Sequence, residues 1–252
     1  MTPSLARIER FPIKSIRGEL LDRVTLDAGA CLPGDRAFAV LHADAARHLN
    51  GQGGIDRWLP KSQFLRGVAG PELQAIRGAR LPDGRLRLTH PRAGALDFDP
   101  ADDAALLAWL EPLWPADKPR PLRLVKGPQP LTDTRQSYVS VLSLASLAVL
   151  EARLGRVLGC DRWRANFWIE GLEPFAERDW IGRFLRIGEA RLAVRERIGR
   201  CDATSADTET GRHDIDMPAA LKSLQGDADF GIYAEVLAGA QVEVGAPVEV
   251  QP

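Results

Sequence analysis

The sequence predicts a mainly β protein with a few helices, of the α+β class, built as two intimately packed modules. Three observations carry this reading. Short segments of alternating apolar residues recur between Gly and Pro turns, only three stretches space apolar residues as a helix does, and one proline-rich stretch, WPADKPRPLRL, interrupts both patterns near the middle. Taken as a boundary, that stretch divides the chain into modules 1–118 and 119–252.

In the first module SLARIERF, ELLDRVTLD, DRAFAVLH, ELQAIRG and GRLRLTH each show apolar alternation or β-branched content, which predicts an antiparallel sheet or barrel. Leu106, Leu107, Leu110 and Leu113 fall three or four apart and predict a helix over Ala101 to Trp114. In the second module Tyr138 to Leu142 reads as a strand. Ser143 to Leu154 reads as an amphipathic helix with Ser143 as its N-cap, since a serine hydroxyl can accept from a free N–H of the first turn. RANFWIEG and RFLRIGEARLAVRERI return to β character. Met217 to Leu224 is a short helix with Pro218 in its first turn, and GIYAEVLAGAQVEVGAPVEVQP closes the chain with two or three strands.

Composition narrows the function classes. The chain has 252 residues, 33 basic and 34 acidic side chains and a formal net charge of −1, so no global field recruits nucleic acid or an anionic membrane, and neither is expected as a partner. Any anion it binds must be held locally. The opening run MTPSLARIERFPIKS lacks the apolar core of a signal peptide or a membrane span, which predicts a cytoplasmic protein. Three widely spaced cysteines, Cys31, Cys160 and Cys201, suit a reducing compartment and leave at least one thiol free.

Cys201 is the leading candidate for chemistry. It follows Arg200 and precedes Asp202, Thr204, Ser205 and Asp207, and a thiol beside a guanidinium is a better soft-metal ligand or nucleophile. A lone cysteine is more often a small core hydrophobe, and Cys31 and Cys160 read as such. Three polar clusters accompany it: Lys14, Ser15 and Arg17 in PIKSIRG, Arg36 in PGDRAFAV, and Arg162, Arg164 and Asn166 in DRWRANFWIEG. Strand alternation would put the last three on one face, opposite Trp163 and Phe167. Guanidinium forks and a lysine charge suit a phosphate or a heterocycle with a phosphate tail, although each cluster alone reads more readily as a solvated strand end or a salt bridge. No Walker or Rossmann glycine loop, paired-histidine metal motif, CxxC zinc pattern or GxSxG elbow is present.

Taken in order, RFPIKSIRG, LPGDRAFAV, VSVLSLASLAVLE, DRWRANFWIEGLEPFAERDWIG, RCDATSADTETG, FGIYAEV and VEVGAPVEV resemble the MOSC family, the molybdenum cofactor sulfurase C-terminal domain, in its two-part form and nearly end to end. The resemblance implies an N-terminal β-barrel-like module followed by a MOSC β-barrel, and is nearest to amidoxime-reducing molybdenum enzymes. It implies a Mo-molybdopterin cofactor whose metal is ligated by Cys201. Lys14, Ser15 and Arg36 would then hold the pterin's phosphate side, Arg164 and Asn166 would add contacts, Arg200 would flank the ligand, and Tyr233 would stand near the cofactor. Lys14, Arg36, Arg164, Cys201 and Tyr233 should line one cleft.

Two departures from the amidoxime-reducing pattern stand out. Ile198 occupies the place of a second cysteine three positions before the ligand, and Arg135 and Gln136 fall where an acidic residue is usual, with Asp133 the nearest carboxylate. The function implied is an oxidoreductase acting on N-hydroxylated or N-oxide small molecules, fed by an external flavin or iron–sulfur reductase because the chain has no such motif of its own. A persulfide carrier on Cys201 and a cofactor storage or delivery protein are the alternatives. No segment reads as the aminotransferase-like domain that works with pyridoxal phosphate, so that cofactor is not expected.

Overall fold

The computed structural model describes residues 2–252. Its strands in chain order are β1 (Ser4–Arg10), β2 (Glu19–Leu21), β3 (Arg23–Thr25), β4 (Phe38–His42), β5 (Arg77–Arg80), β6 (Leu86–His90), β7 (Gly94–Phe98), β8 (Pro121–Lys126), β9 (Tyr138–Ser143), β10 (Phe167–Glu170), β11 (Phe184–Ile187), β12 (Ala190–Gly199), β13 (Asp229–Ala238), β14 (Gln241–Glu243) and β15 (Val248–Gln251). The helices are α1 (Ala104–Leu110), α2 (Leu144–Leu154) and α3 (Met217–Gln225). The protein is mostly β with few helices.

One eight-stranded sheet, ordered β15-β11-β12-β13-β9-β10-β1-β2, organises the molecule. Its pairs are antiparallel except β9 with β10, which α2 connects as a crossover. The sheet curls until its ends meet, because Leu5 N–H donates to Ala246 O (2.9 Å), Gly245 N–H to Leu5 O (2.7 Å) and Val248 N–H to Pro3 O (2.9 Å). Inside the curl lie Leu5, Ile8, Val139, Val141, Phe167, Ile169, Leu192, Val194, Ile232 and Ala234, all buried. Strand alternation sends the intervening residues outward, and α2 and α3 cover part of that outer face with Leu147, Leu150, Met217 and Leu221 against Trp168 and Phe230. A separate core joins Ile13, Ile16, Leu86, Leu88, Phe98 and Leu106, where β5, β6 and β7 form a three-stranded sheet.

The helix ends follow local chemistry. Ser143 caps α2 by accepting from Ser146 N–H, and Gly155 stops the helix at φ 64°, a left-handed conformation that costs glycine little. Asp216 caps α3 by accepting from Ala219 N–H.

Several sequence expectations change. ELQAIRG is a 3-10 turn, Pro71–Ala75, before β5 begins at Arg77, since Pro71 presets turn geometry and Gln74 is turned inward. ELLDRVTLD splits at Asp22 into β2 and β3, which pair with β1 and β14 respectively. The predicted 101–114 helix shrinks to α1 and a 3-10 turn, with Pro112 preventing continuation. β7 and β8 lie in stretches that alternation does not mark, and β8, inside the proline-rich stretch, pairs with β4. Arg162, Arg164 and Asn166 do not share a strand face. Asp161–Trp163 is a 3-10 turn, Arg164 is left-handed at φ 49°, and β10 starts only at Phe167.

An ion cluster joins β1 to the turn before β10. Asp161 accepts from Arg7, Arg77 and Arg17, the last at 2.6 Å, while Glu9, 2% exposed, pairs with Arg7. Burial pushes the Glu9 carboxyl up to about 7 against the pull of Arg7. The folded protein therefore holds that proton more tightly than the unfolded chain, whose glutamates titrate near about 4.3. The Glu9 contribution to stability is full below that value and is lost as pH rises through about 7. Urea denaturation at about pH 5 and about pH 8 should show a fall for the wild type that is smaller in Glu9→Gln. In β13, Gly231 lies at φ 84°, and an added Cβ would meet Leu142 Cδ1 at 2.3 Å and Val141 O at 2.9 Å. Gly231→Ala should lose about 3 kcal/mol through backbone strain and overpacking, read by the same denaturation.

Candidate functional site

A row of residues in register across the outer face of the sheet makes the floor of the site. Glu196 of β12 stands opposite Tyr233 of β13, and Tyr233 opposite Ser140 of β9. Alternation explains Tyr233 and Ser140, since their neighbours Ile232, Ala234, Val139 and Val141 fill the inner core, and Glu196 joins them because β12 is bulged between Val194, which is in that core, and Glu196. Asn166 extends the row. Its Oδ1 accepts from Ser140 N–H (3.1 Å) and Oγ (2.9 Å), and its Nδ2 donates to Glu9 O (3.2 Å).

Above this floor lies a cavity of about 280 Å³. The eight residues that the family resemblance assigned to the cofactor all line it: Lys14, Ser15, Arg36, Arg164, Asn166, Arg200, Cys201 and Tyr233. They arrive from the loop after β1, the loop before β4, the turn before β10, the end of β12 and the middle of β13. Ser15, Arg36 and Arg164 have φ of 69°, 42° and 49°, three of the four non-glycine residues with positive φ among the described residues. Such backbone is uncommon for side chains of this kind and persists only where the surroundings impose it.

Lys61 and Arg197 also line the cavity, and the four cations singled out from the sequence are each held differently. Arg36 pairs with Asp35, donates to Arg164 O (2.7 Å) and lies over the Phe11 ring at 4.4 Å. Arg164 donates to the amide oxygen of Gln74, whose own amide donates to Ala203 O. Arg200 spends its donors on Phe230 O (2.9 and 2.6 Å) and Trp163 O (3.0 Å), and stacks on Trp163. Lys14 pairs with Asp133. Ser15 donates its hydroxyl to Leu65 O (2.9 Å), so toward a ligand it can only accept through that oxygen.

The electrostatics follow from this arrangement. Desolvation would lower Arg36, but Asp35 holds it above its ordinary value. Desolvation lowers Lys14 in spite of Asp133, lowers Arg164 with Arg36 adding repulsion, and brings Arg200 down to about 10. Three of four cations are thus held in a less favourable setting than water. A cavity so short of negative charge is suited to an anion, and most to one carrying more than a single charge. Tyr233 is pushed up by burial, so its phenol keeps its proton through the neutral range and can donate. Its ring lies 5.9 Å from that of Tyr138, tilted by 31°, and the two give the cavity an aromatic wall.

Cys201 is exposed, in extended backbone at the start of the 3-10 turn Asp202–Ser205, and its carbonyl accepts from Thr204 N–H (3.0 Å) and Oγ1 (2.9 Å). Among the described residues no group of three or more His, Cys, Asp or Glu could hold a metal ion. Cys31 is buried and Cys160 half-buried, and burial pushes their thiols up to about 11 and about 12.

Two residues of the polar clusters marked in the sequence lie outside the cavity, and other site residues escape a sequence reading. Arg162, 1% exposed, does not face the cavity. It donates to Thr204 O (3.1 Å), Ala206 O (2.9 Å) and Asp214 (3.0 Å), fixing the segment after Cys201 from behind. Arg17 likewise leaves the cavity to bond Thr208 O and Glu209. Gln74, Tyr138, Ser140 and Glu196 carry no motif. Only the pairing register of β9, β12 and β13 would have brought the last three together.

Residues 128–249 match the MOSC domain family. Over 120 residues the chain is 27% identical to a Danio rerio protein named molybdenum cofactor sulfurase, covering 42% of this chain and 14% of that one. Over 124 residues it is 31% identical to mitochondrial amidoxime reducing component 2 of Rattus norvegicus, covering 44% of this chain and 36% of that one. The chain thus spans well under half the length of these curated relatives. The YuaD protein of Bacillus subtilis shares the fold, with a TM-score of 0.50 over 99% of this chain and 96% of its own at 14% identity. The stretch that matches the MOSC domain family, residues 128–249, includes Cys201, the exposed thiol of the cavity.

Proposed function

We propose that the cavity binds a molybdenum cofactor, Mo-molybdopterin, with Cys201 as the protein's ligand to the metal, and that the chain is a cytoplasmic oxidoreductase reducing N-hydroxylated or N-oxide small molecules. The observation that carries this reading is the convergence, on one cavity, of an exposed thiol with cations short of counter-charge. The amidoxime reducing component among the relatives gives the reaction class.

The residues fit the group in chemical terms. Lys14 Nζ and Arg36 supply charge for a phosphate on one side, whereas the Ser15 hydroxyl, already donated to Leu65 O, can only accept from a protonated group of the ligand beside that phosphate. Arg164 and Arg200 supply positive charge from the other. Asn166 acts by holding Ser140 and β1 in place, because most of its amide is already bonded. The Tyr138–Tyr233 wall suits a planar ring system, and the Tyr233 hydroxyl can donate to it. When bound, the cofactor supplies a two-electron redox centre able to take an oxygen atom from an N–O bond. Electrons would come from an external flavin or iron–sulfur protein.

A second reading, persulfide transfer through Cys201, draws on the exposure of the thiol and on the relative named molybdenum cofactor sulfurase. Sulfur transfer alone gives no use for four cations deep in the same cavity, which favours the first reading.

Protein purified from a host that makes the cofactor should carry molybdenum and pterin and reduce an amidoxime with a chemical reductant. Cys201→Ser should lower the molybdenum content at least about tenfold, as loss of a metal ligand does. Equal molybdenum in the two proteins would overturn ligation by Cys201, and bound molybdenum without N–O reduction would overturn the reaction. Arg164→Gln should weaken retention of the pterin about tenfold, the worth of one charged hydrogen bond, measured as pterin fluorescence after gel filtration.

A further inference from the structure

We propose that Asp133 is a tethered counter-ion that sits in the anion seat of the cavity and must be displaced from Lys14 by the ligand's phosphate. The proposal rests on the reading of the cavity as a site for a phosphate-bearing ligand.

The two partners of the Lys14–Asp133 pair are not equivalent. The lysine side chain is 4% exposed and enters from the loop after β1, whereas the aspartate side chain is 49% exposed and reaches in from outside. Asp133 belongs to residues 127–137, which join β8 to β9 without regular structure. That connection is pinned at its base, where Leu131 is fully buried and donates its N–H to Arg36 O (2.8 Å). Its tip bonds to itself: Thr132 Oγ1 to Thr134 O (2.7 Å), Thr134 Oγ1 to Gln136 O (3.3 Å), and Gln129 to Arg135 O (3.0 Å). Among the described residues, the contact with Lys14 is the one ion pair of the tip with the rest of the protein. Lifting Asp133 therefore breaks a single ionic tie and leaves the base of the connection in place.

The carboxylate behind Arg36 contrasts with it. Asp35 is 1% exposed, accepts from Phe11 N–H (2.8 Å) and pairs with Arg36, so it is built into the scaffold. Asp133 also acts beyond Lys14. Asp133 lines the cavity together with Arg36, Arg164, Arg200 and Tyr233, and its charge acts on Arg164 and Tyr233 and, more weakly, on Arg36 and Arg200. A carboxylate carries one negative charge and a phosphate monoester up to two, so the second outcompetes the first for the same cations while a monoanion gains little. The consequence is selectivity. With Asp133 present the cavity admits dianions and rejects small monoanions.

The test uses the full chain purified without cofactor, with inorganic phosphate and formate as probes and calorimetric titration as readout. Asp133→Asn is close to isosteric at a half-exposed position and should fold. It should bind phosphate about tenfold more tightly than the wild type, the size expected when one competing charge is removed, and should bind formate where the wild type does not. Lys14→Gln should weaken phosphate binding in both backgrounds. Melting temperatures supply an independent reading: phosphate should raise that of Asp133→Asn more than that of the wild type. Phosphate binding to the wild type with equal or weaker binding to Asp133→Asn would overturn the counter-ion role and leave the cavity reading intact. No phosphate binding by either protein would overturn both.

Discussion

Everything in this cavity depends on keeping several positive side chains in one small volume, four of them crowded around its inner end. Lys14, Arg36, Arg164 and Arg200 repel one another in a setting drier than water, where Coulomb terms are stronger. The protein answers with few acids and many neutral acceptors. Arg36 has Asp35 and the face of Phe11, Arg164 has the amide of Gln74, and Arg200 has two carbonyls and the face of Trp163. Neutral acceptors satisfy hydrogen-bonding capacity without cancelling charge. The positive potential therefore remains available to whatever enters.

Holding that arrangement has a backbone cost. Ser15, Arg36 and Arg164 each occupy the left-handed region, at about 1–3 kcal/mol apiece, which together is a sizeable part of the net stability of a domain. The offset lies in the scaffold beneath. Lys14 N–H bonds Phe38 O (2.8 Å) and Arg36 N–H bonds Phe11 O (2.6 Å), so the two N-terminal loops brace each other. Arg7, Arg17 and Arg77 converge on Asp161, immediately before the turn that carries Arg164. Because β1 runs beside β10 and meets Pro247 at its start, the N-terminal loops are fixed relative to the C-terminal strands rather than resting on them.

How much of this can be read from the chain varies with the physical origin of each feature. Helix α2 is legible to the residue, because its cap, its apolar spacing and its terminal glycine are all local. The inner face of the sheet is legible as alternation. Pro71–Ala75 is not, because ELQAIRG looks like a strand until Gln74 is seen to be needed inward, between Arg164 and Ala203. The turn at Asp161–Trp163 is hidden for a similar reason. Its left-handed Arg164 is imposed by tertiary contacts, so alternation assigns Arg162 to the wrong place. The convergence of Lys14, Arg36, Arg164 and Cys201 was reachable only through a family resemblance, since no spacing along the chain relates residues so far apart.

The placement of Cys201 shows how the two halves of the site cooperate. The thiol sits where β12, bulged between Val194 and Glu196 and again between Arg197 and Gly199, leaves the sheet. A chain leaving a sheet edge would ordinarily be loose. Here Arg162 clamps the carbonyls of Thr204 and Ala206 from the buried side, and Gln74 holds that of Ala203 from the N-terminal side. Gln74 is also the acceptor for Arg164, so one buried amide sets both the segment that follows the thiol and a cation of the cavity. Neither the strand end nor the loops could fix that spacing alone. The amide's two ends do so together, which couples the position of the sulfur to the position of the charge.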